Sequence, residues 1–408
     1  MNPLRCAVHA SRRPGVAILR PRKFSLAIVA ALIGALVFAL AFALVIAGAG
    51  TAVTLPATAA AADMPTAASA AQPPAQSAAI PAEPARLAAQ GLLIAIAAAG
   101  ERLVAVGDHG IVVFSDDHGA SWTQAEAVPT QALLTGVCFL DAQHGVAVGH
   151  DEVIVTSADA GRTWKRTHYA PQAQRPLLDV WCGAGGQTIA VGAYSTYLTS
   201  ADRGASWQEV PFKPAPPRRP AGAAAGTGAH GARGTADDGG ADEGGGGGYH
   251  LNRIVAAGAA RLYIAGEAGH LYASDDGGAT WLTLASPYEG SFFGVLPLPG
   301  EKLLAFGLRG HLYRSSDGGS SWSRIDTGTV ALLDGAAQLA AGDIAIVGFS
   351  GVVLVSRDGG QTFALLQQAD RAGLSAAVPV GDESIAAVGE DGAKLISLAG
   401  TAGRSEAR

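Results

Sequence analysis

Helical periodicity is missing from the body of this sequence. Between residues 91 and 397 the apolar residues come in runs of a few, alternating too briefly for amphipathic helices and recurring too regularly for two unrelated domains. Charge is sparse, at 15% of 408 residues, and aromatic residues make up 6%. Acidic residues are absent from the first 62 positions, where Arg5, Arg12, Arg13, Arg20, Arg22 and Lys23 stand. The rest of the chain therefore holds 22 basic against 34 acidic side chains, a balance that argues against a nucleic-acid partner. Cysteine is nearly lacking too. Cys6 precedes an apolar segment, while Cys138 and Cys182 occupy what read as equivalent places in neighbouring units (LTGVC and LDVWC). Equivalent places point in the same rotational sense, so two buried thiols are expected there and no disulfide.

The chain divides by composition. Residues 1–23 form a basic flank, expected to stay cytoplasmic, and residues 24–50 an uncharged apolar stretch long enough to cross a bilayer. Small residues at 57–62 suit a signal peptidase, so the stretch reads as a membrane anchor or a signal peptide. Either way the remainder is expected outside the cytoplasm: periplasmic, inner-membrane anchored or secreted. Residues 51–82 are an Ala/Pro-rich linker.

A repeat fills residues 83–400. The pattern S-x-D-x-G-x-x-[W/F] occurs six times. Its residues are Ser115, Asp117, Gly119 and Trp122; Ser157, Asp159, Gly161 and Trp164; Ser200, Asp202, Gly204 and Trp207. Ser274, Asp276, Gly278 and Trp281, then Ser315, Asp317, Gly319 and Trp322, and finally Ser356, Asp358, Gly360 and Phe363 complete the set. Steps of 42, 43, 74, 41 and 41 residues separate the serines, and a period near 40 means a repeat architecture. The long step holds a Gly/Pro-rich insertion without periodicity at 214–248.

Each octet follows a second phrase such as VAVGDHGIVVFS (104–115), with a seventh copy, AAVGEDGAKLIS (386–397), lacking an octet behind it. Upstream of each lies a further apolar run, for example LLTGVCFL (133–140). Four short strands and three tight turns per unit make one antiparallel propeller blade. The fold expected is all-β: a seven-bladed propeller of four-stranded blades behind an N-terminal transmembrane or signal helix. The seventh unit runs out before a fourth strand, so a strand within Ala78–Ala89 is expected to complete it.

The octets read as structural. Serine and aspartate accept backbone N–H groups within a turn, glycine takes a positive φ, and the aromatic ring covers the hairpin. One carboxylate per copy is too few oxygens for calcium. No catalytic, metal or cofactor residues are assigned.

The opposite face carries the turns between second and third strands, where side-chain variety is expected without strain. Asp108, His109, His150, Asp151, Tyr194, Glu267, Arg309, His311 and Glu390 are the partner-binding candidates there, with His270, Phe349 and Asp391 beside them. The starts of the inner strands add Thr135, Asp179, Asn252, Asp334 and Ser375. The insertion is placed at the same face.

The octets resemble the Asp-box, or BNR, repeats of the sialidase-like superfamily. Seven such units behind an export segment, each with a V-x-V-G-x-x-G-x-[I/L] phrase, resemble the photosystem II stability and assembly factor family over residues 84–400. That resemblance implies a monomeric, non-catalytic scaffold that binds a membrane protein or complex and takes part in photosynthesis. It also implies an arginine patch on the binding surface, where this chain offers Arg309 and Arg253. A sialidase-like glycoside hydrolase and a carbohydrate-binding propeller are the alternatives. The first would need an [F/Y]-R-I-P motif, which is absent; the second needs aromatic turn tips, of which Tyr194 and Phe349 qualify.

Overall fold

The computed structural model describes residues 79–217 and 248–399. The basic flank, the apolar segment, and nearly all of the linker and insertion lie outside the described residues. Among the described residues no helix is long and apolar enough to cross a membrane; the helical elements are 3-10 turns of three residues.

Seven antiparallel sheets follow one another along the chain, each a meander. Blade 1 shows the plan. Its inner strand Leu93–Ala99 pairs with Arg102–Gly107, then comes Val112–Ser115, and the short outer strand Thr123–Gln124 closes the blade. Four of the second strands, such as Gly145–Gly149 and Ile344–Gly348, are buried at every residue, and the other three at every residue after the first. Both faces of a blade pack on neighbours, so these strands are continuously apolar instead of alternating. Seven apolar clusters occupy the seven seams between adjacent blades. Trp164 fills the seam between blades 1 and 2, and Trp281 that between blades 3 and 4; both are 6% exposed.

The glycine ending each second strand is required by close approach. Its φ is extended, as at Gly149 (−172°) and Gly348 (−164°), but a Cβ there would stand 2.1 Å from the Leu133 carbonyl oxygen and 2.2 Å from that of Leu332. The contact lets the next residue donate its N–H to the same carbonyl, at 2.9 Å from His150 and from Phe349. Equivalent bonds of 2.9–3.2 Å recur in all seven blades, for example Glu267 to His250 and Glu390 to Gly373. They tie every short turn to the chain entering its inner strand, so both lie on one face.

Each inner strand also skips its second residue in the pairing register, a bulge repeated seven times. The bulged side chain can then bond the neighbouring blade: Thr135 Oγ1 donates to the Leu177 carbonyl at 2.7 Å, and Asn252 Nδ2 to that of Phe292 at 2.8 Å.

Two expectations fail. No strand forms within residues 79–89; this segment runs as a strap along blade 1, where Ala82 N–H donates to the Val128 carbonyl and Gln124 Nε2 to that of Glu83. Blade 7 has three strands among the described residues, Leu374–Val380, Ser384–Gly389 and Gly392–Ser397. Packing closes the ring: Leu93, Ile96 and Leu103 of blade 1 meet Ala376, Ala386 and Val388 of blade 7, and the Ala88–Gln90 turn lies against Gly392 of the last strand.

The second failure is the cysteine pair, which forms a disulfide with Cα atoms 5.7 Å apart. The two positions are not equivalent. Cys138 pairs with Val146, whereas Cys182 pairs with Thr188; the residue opposite Ile189, the counterpart of Val146, is Trp181. A strand turns its side chains to alternate faces, so the one-residue offset aims the two sulfurs at each other across the seam of blades 2 and 3.

Candidate functional site

The octets leave their own face chemically occupied. In all six, the serine hydroxyl donates to its aspartate at 2.7–2.8 Å and accepts the glycine N–H at 2.8–3.0 Å. The residue before the aromatic is always Ser or Thr, and its N–H and hydroxyl both donate to the carboxylate. Each carboxylate is thus saturated from within its own hairpin. The hydroxyl bond from Ser121 is the chief cause holding Asp117 at about 2, and that from Ser206 does the same for Asp202.

The other face displays its side chains under strain. His109, Asp151, Tyr194, Arg309 and Ser350 sit at the turn tips with φ between 53° and 60°, a region non-glycine residues seldom adopt. The expectation of strain-free variety is therefore wrong. The tip is held from both sides, by the bond described above and by the closing bond of the turn, as from Ile111 N–H to the Asp108 carbonyl at 3.0 Å.

The predicted candidates spread around the ring. Asp108 with His109, His150 with Asp151, Arg309 with His311, and Glu390 stand on blades 1, 2, 5 and 7. Several are already engaged: His109 Nδ1 is 2.9 Å from Asp108, Glu390 accepts the Gly373 N–H at 2.9 Å, and His311 packs 4.2 Å from Tyr288. Burial lowers the pKa of His311 below that of an ordinary imidazole.

Tyr194 and Glu267 are brought together, with neighbours that lie outside the repeat pattern. Where the chain returns after the insertion, the Tyr249 carbonyl accepts the Ser195 N–H at 2.9 Å, fixing Tyr249 and His250 beside the Tyr194 turn. The Tyr194 and His250 rings meet edge to face at 5.1 Å, and Tyr249 stacks on His270 at 4.0 Å. Glu267 Oε2 accepts the His250 N–H at 3.2 Å and lies 3.9 Å from its Nδ1. Tyr194 is 43% and Tyr249 47% exposed. Behind them the stacking continues through His270, Tyr272 and Phe212 to Trp281. Phe212 and Tyr249 belong to the two ends of the chain that flank the insertion, and Ala215 pairs with Leu282 on the outer strand of blade 4. The insertion therefore leaves at the rim and returns on the turn face.

A charged group crosses the axis. Arg253 of blade 4 lies 3.9 Å from Asp179 of blade 3 and 3.6 Å from Asp334 of blade 6. Blades 4 and 6 are not adjacent, so this contact spans the central channel. Burial pushes Asp334 up to about 6 against the pull of Arg253, and raises Asp179 as well. Asp179 also accepts the Ile254 N–H at 3.0 Å.

A further network joins blades 2 and 3. Glu152, 2% exposed, takes the place a glycine holds in blades 1, 4, 5, 6 and 7. Arg175 bonds it at 2.7 Å and reaches Glu209 at 2.7 Å, and His168 stands 3.3 Å away. Sequence reasoning passed over Glu152 because the repeat puts a glycine at its position in most blades, and Arg175 because it lies in the link between blades, outside the repeat.

Fold and hairpins together define the class: a seven-bladed β-propeller built on Asp-box repeats. A sequence model of the photosynthesis system II assembly factor YCF48 family matches residues 120–242, which span blades 2 and 3. Among solved structures, YCF48 bound to a D1 peptide superposes with a TM-score of 0.57 at 13% identity, covering 76% of this chain and 94% of that one. The WD40 propeller domain of Doa1 gives 0.55 at 12%, over 76% and 94%. A GH74 xyloglucanase from Xanthomonas campestris gives 0.55 at 17%, over 76% of this chain and 53% of the enzyme. None of the curated proteins matches significantly. The resemblance to the photosystem II assembly factor propellers is borne out; at these identities the structural likenesses concern the fold.

Proposed function

We propose that this protein is an exported, non-catalytic propeller that holds a segment of a membrane protein or membrane complex on its turn face. The division between its two faces carries this reading. One face spends its polar groups on closing hairpins, while the other displays charged and aromatic side chains on strained, doubly tethered turns, where strain is a pointer to function. The assembly-factor match and the peptide bound to the YCF48 propeller support it. Export is supported by the basic flank with its apolar segment and by the disulfide, since such bonds persist in oxidising compartments.

A hydrolytic reading would use Asp179 and Asp334 as a carboxylate pair. Arg253 stands between them, and Asp179 is 7% exposed and bonded to backbone, so neither is free to approach a sugar. Affinity capture from the organism's own membranes with the tagged full chain tests the proposal. One membrane protein or complex should be retained by the wild type and lost on reversing charges at Asp151, Glu267 and Arg309. Capture that survives those changes and disappears on altering the octet face would refute it.

A further inference from the structure

The turn face is acidic as well as exposed. Its turns carry Asp108, Asp151, Glu267, Glu390 and Asp391 against the single basic tip Arg309, with Arg371 exposed beside the turn of blade 6. Within this field, the junction of blades 3 and 4 adds something no other sector has: two tyrosines, each more than 40% exposed, next to a carboxylate. Tyr249 rests on His270 and Tyr194 against His250, so neither ring must collapse onto the protein to shed water. Glu267 is anchored by the His250 N–H, yet its side chain stays 44% exposed.

Aromatic faces attract cations through the ring quadrupole, and a carboxylate beside them adds direct charge. We propose that the Tyr194–Tyr249–Glu267 patch receives a lysine or arginine side chain of an extended partner segment. This deepens the reading of the face as a protein-binding surface and rests on it. The acidic tips around the ring favour further basic residues along the same segment, and the contact is therefore salt-sensitive. The arginine patch expected of the family is replaced here by the opposite charge, which makes the partner's basic stretch the complementary feature.

The test uses fluorescein-labelled twelve-residue peptides of alternating glycine with lysine, arginine, glutamine or glutamate, titrated into the full chain in detergent. Lysine and arginine peptides should bind, with the glutamine and glutamate peptides at least tenfold weaker. Raising salt from 50 to 500 mM should weaken the basic peptides by about tenfold or more, as screening of exposed charge requires. Tyr194→Ala with Tyr249→Ala should lose roughly tenfold, the matching Phe pair should retain binding because the ring faces remain, and Glu267→Gln should lose several-fold. Glu101→Gln with Asp382→Asn, on the turns between first and second strands at the opposite face, should bind as wild type. Equal binding of the glutamine peptide, or unchanged binding by the tyrosine-to-alanine pair, overturns the proposal. So does tyrosine-dependent binding of xyloglucan oligosaccharides without binding of the basic peptides. The two readings fail separately. If native membranes yield a partner whose capture ignores these tyrosines and this charge, the patch is wrong and the scaffold stands; if they yield none, the scaffold reading falls.

Discussion

Replacing both Cys138 and Cys182 by alanine removes the only disulfide cross-link between blades among the described residues. The bridge closes a loop with a sequence separation of 44. In the chain-entropy account, a loop of that size restricts the unfolded ensemble by about 4 kcal/mol. Both residues are half-buried and small, so little packing is lost and the loop term should dominate. For a domain of roughly 290 residues, an unfolding entropy of about 2.1 cal/mol/K per residue converts this to a fall of about 7 °C in melting temperature. Differential scanning fluorimetry of oxidised wild type, reduced wild type and the double variant measures it. Reduced wild type should fall with the variant, and reductant should leave the variant unmoved. An unchanged melting temperature, or free thiols found at both Cys138 and Cys182 in the unreduced protein, would show that the blades are not bridged and that the register argument is wrong.

Trp281→Ala should cost about 3–5 kcal/mol by chemical denaturation, because the ring is 6% exposed and its Nε1 donates to Tyr197 Oη; a loss below about 1 kcal/mol would deny the ring its place in the seam. Asp334, raised to about 6, is protonated in the fold while still ionised in the unfolded chain between about pH 4 and 6. Stability should therefore rise as pH drops from 7 to 5, by roughly 1.3 kcal/mol, at about 1.36 kcal/mol per unit of pKa difference. Asp334→Asn should flatten that slope, leaving the part due to Asp179, which burial also raises; an unaltered pH profile would assign it elsewhere. Asp202, held at about 2 by Ser206, acts in the opposite sense: its contribution is present above about pH 4 and is lost as pH falls towards 2. Ser206→Ala should move acid unfolding to higher pH, read by circular dichroism. Gly348→Ala should unfold blade 6 locally, since its Cβ would meet the Leu332 carbonyl; wild-type hydrogen exchange in that blade would contradict the close-approach account.

The blades were legible because their determinants are local and repeated. An octet bonds almost wholly within itself, so its order in the chain is its structure. Even so, the pattern concealed one regular position: Ser121, Thr163, Ser206, Thr280, Ser321 and Thr362 all donate to the aspartate, and an invariant hydroxyl in the sequence announced it. The disulfide was missed by a single residue of register, which periodicity two makes decisive. Aligning the inner strands on the following glycine would have placed Cys182 opposite Thr188. The strap at 79–92 gave no signal because it is held by irregular bonds, such as Ala85 N–H to Gln124 Oε1 at 2.7 Å and Gln131 Nε2 to the Pro81 carbonyl at 3.0 Å. Tyr249 and His250 were overlooked for a related reason. They adjoin the insertion, yet their carbonyls do the work of Ala132 and Leu133 in blade 2.

The ring is nearly regular in shape but not in how firmly its seams are joined. Blades 2 and 3 are bound by sulfur, whereas blades 7 and 1 meet by packing, with Trp122 and the Ala88–Gln90 turn at their contact and no disulfide among the described residues. A closed ring under thermal agitation parts where the least must be broken, so the 7–1 seam is where this one should breathe. Amides of Leu93–Ala99 and Leu374–Val380 would exchange through openings smaller than global unfolding, while those beside Cys138 and Cys182 would wait for the whole domain. No two blades share a strand among the described residues, so a cut in any link between consecutive blades leaves each sheet intact, and the order of blades along the chain is open to circular permutation at those links.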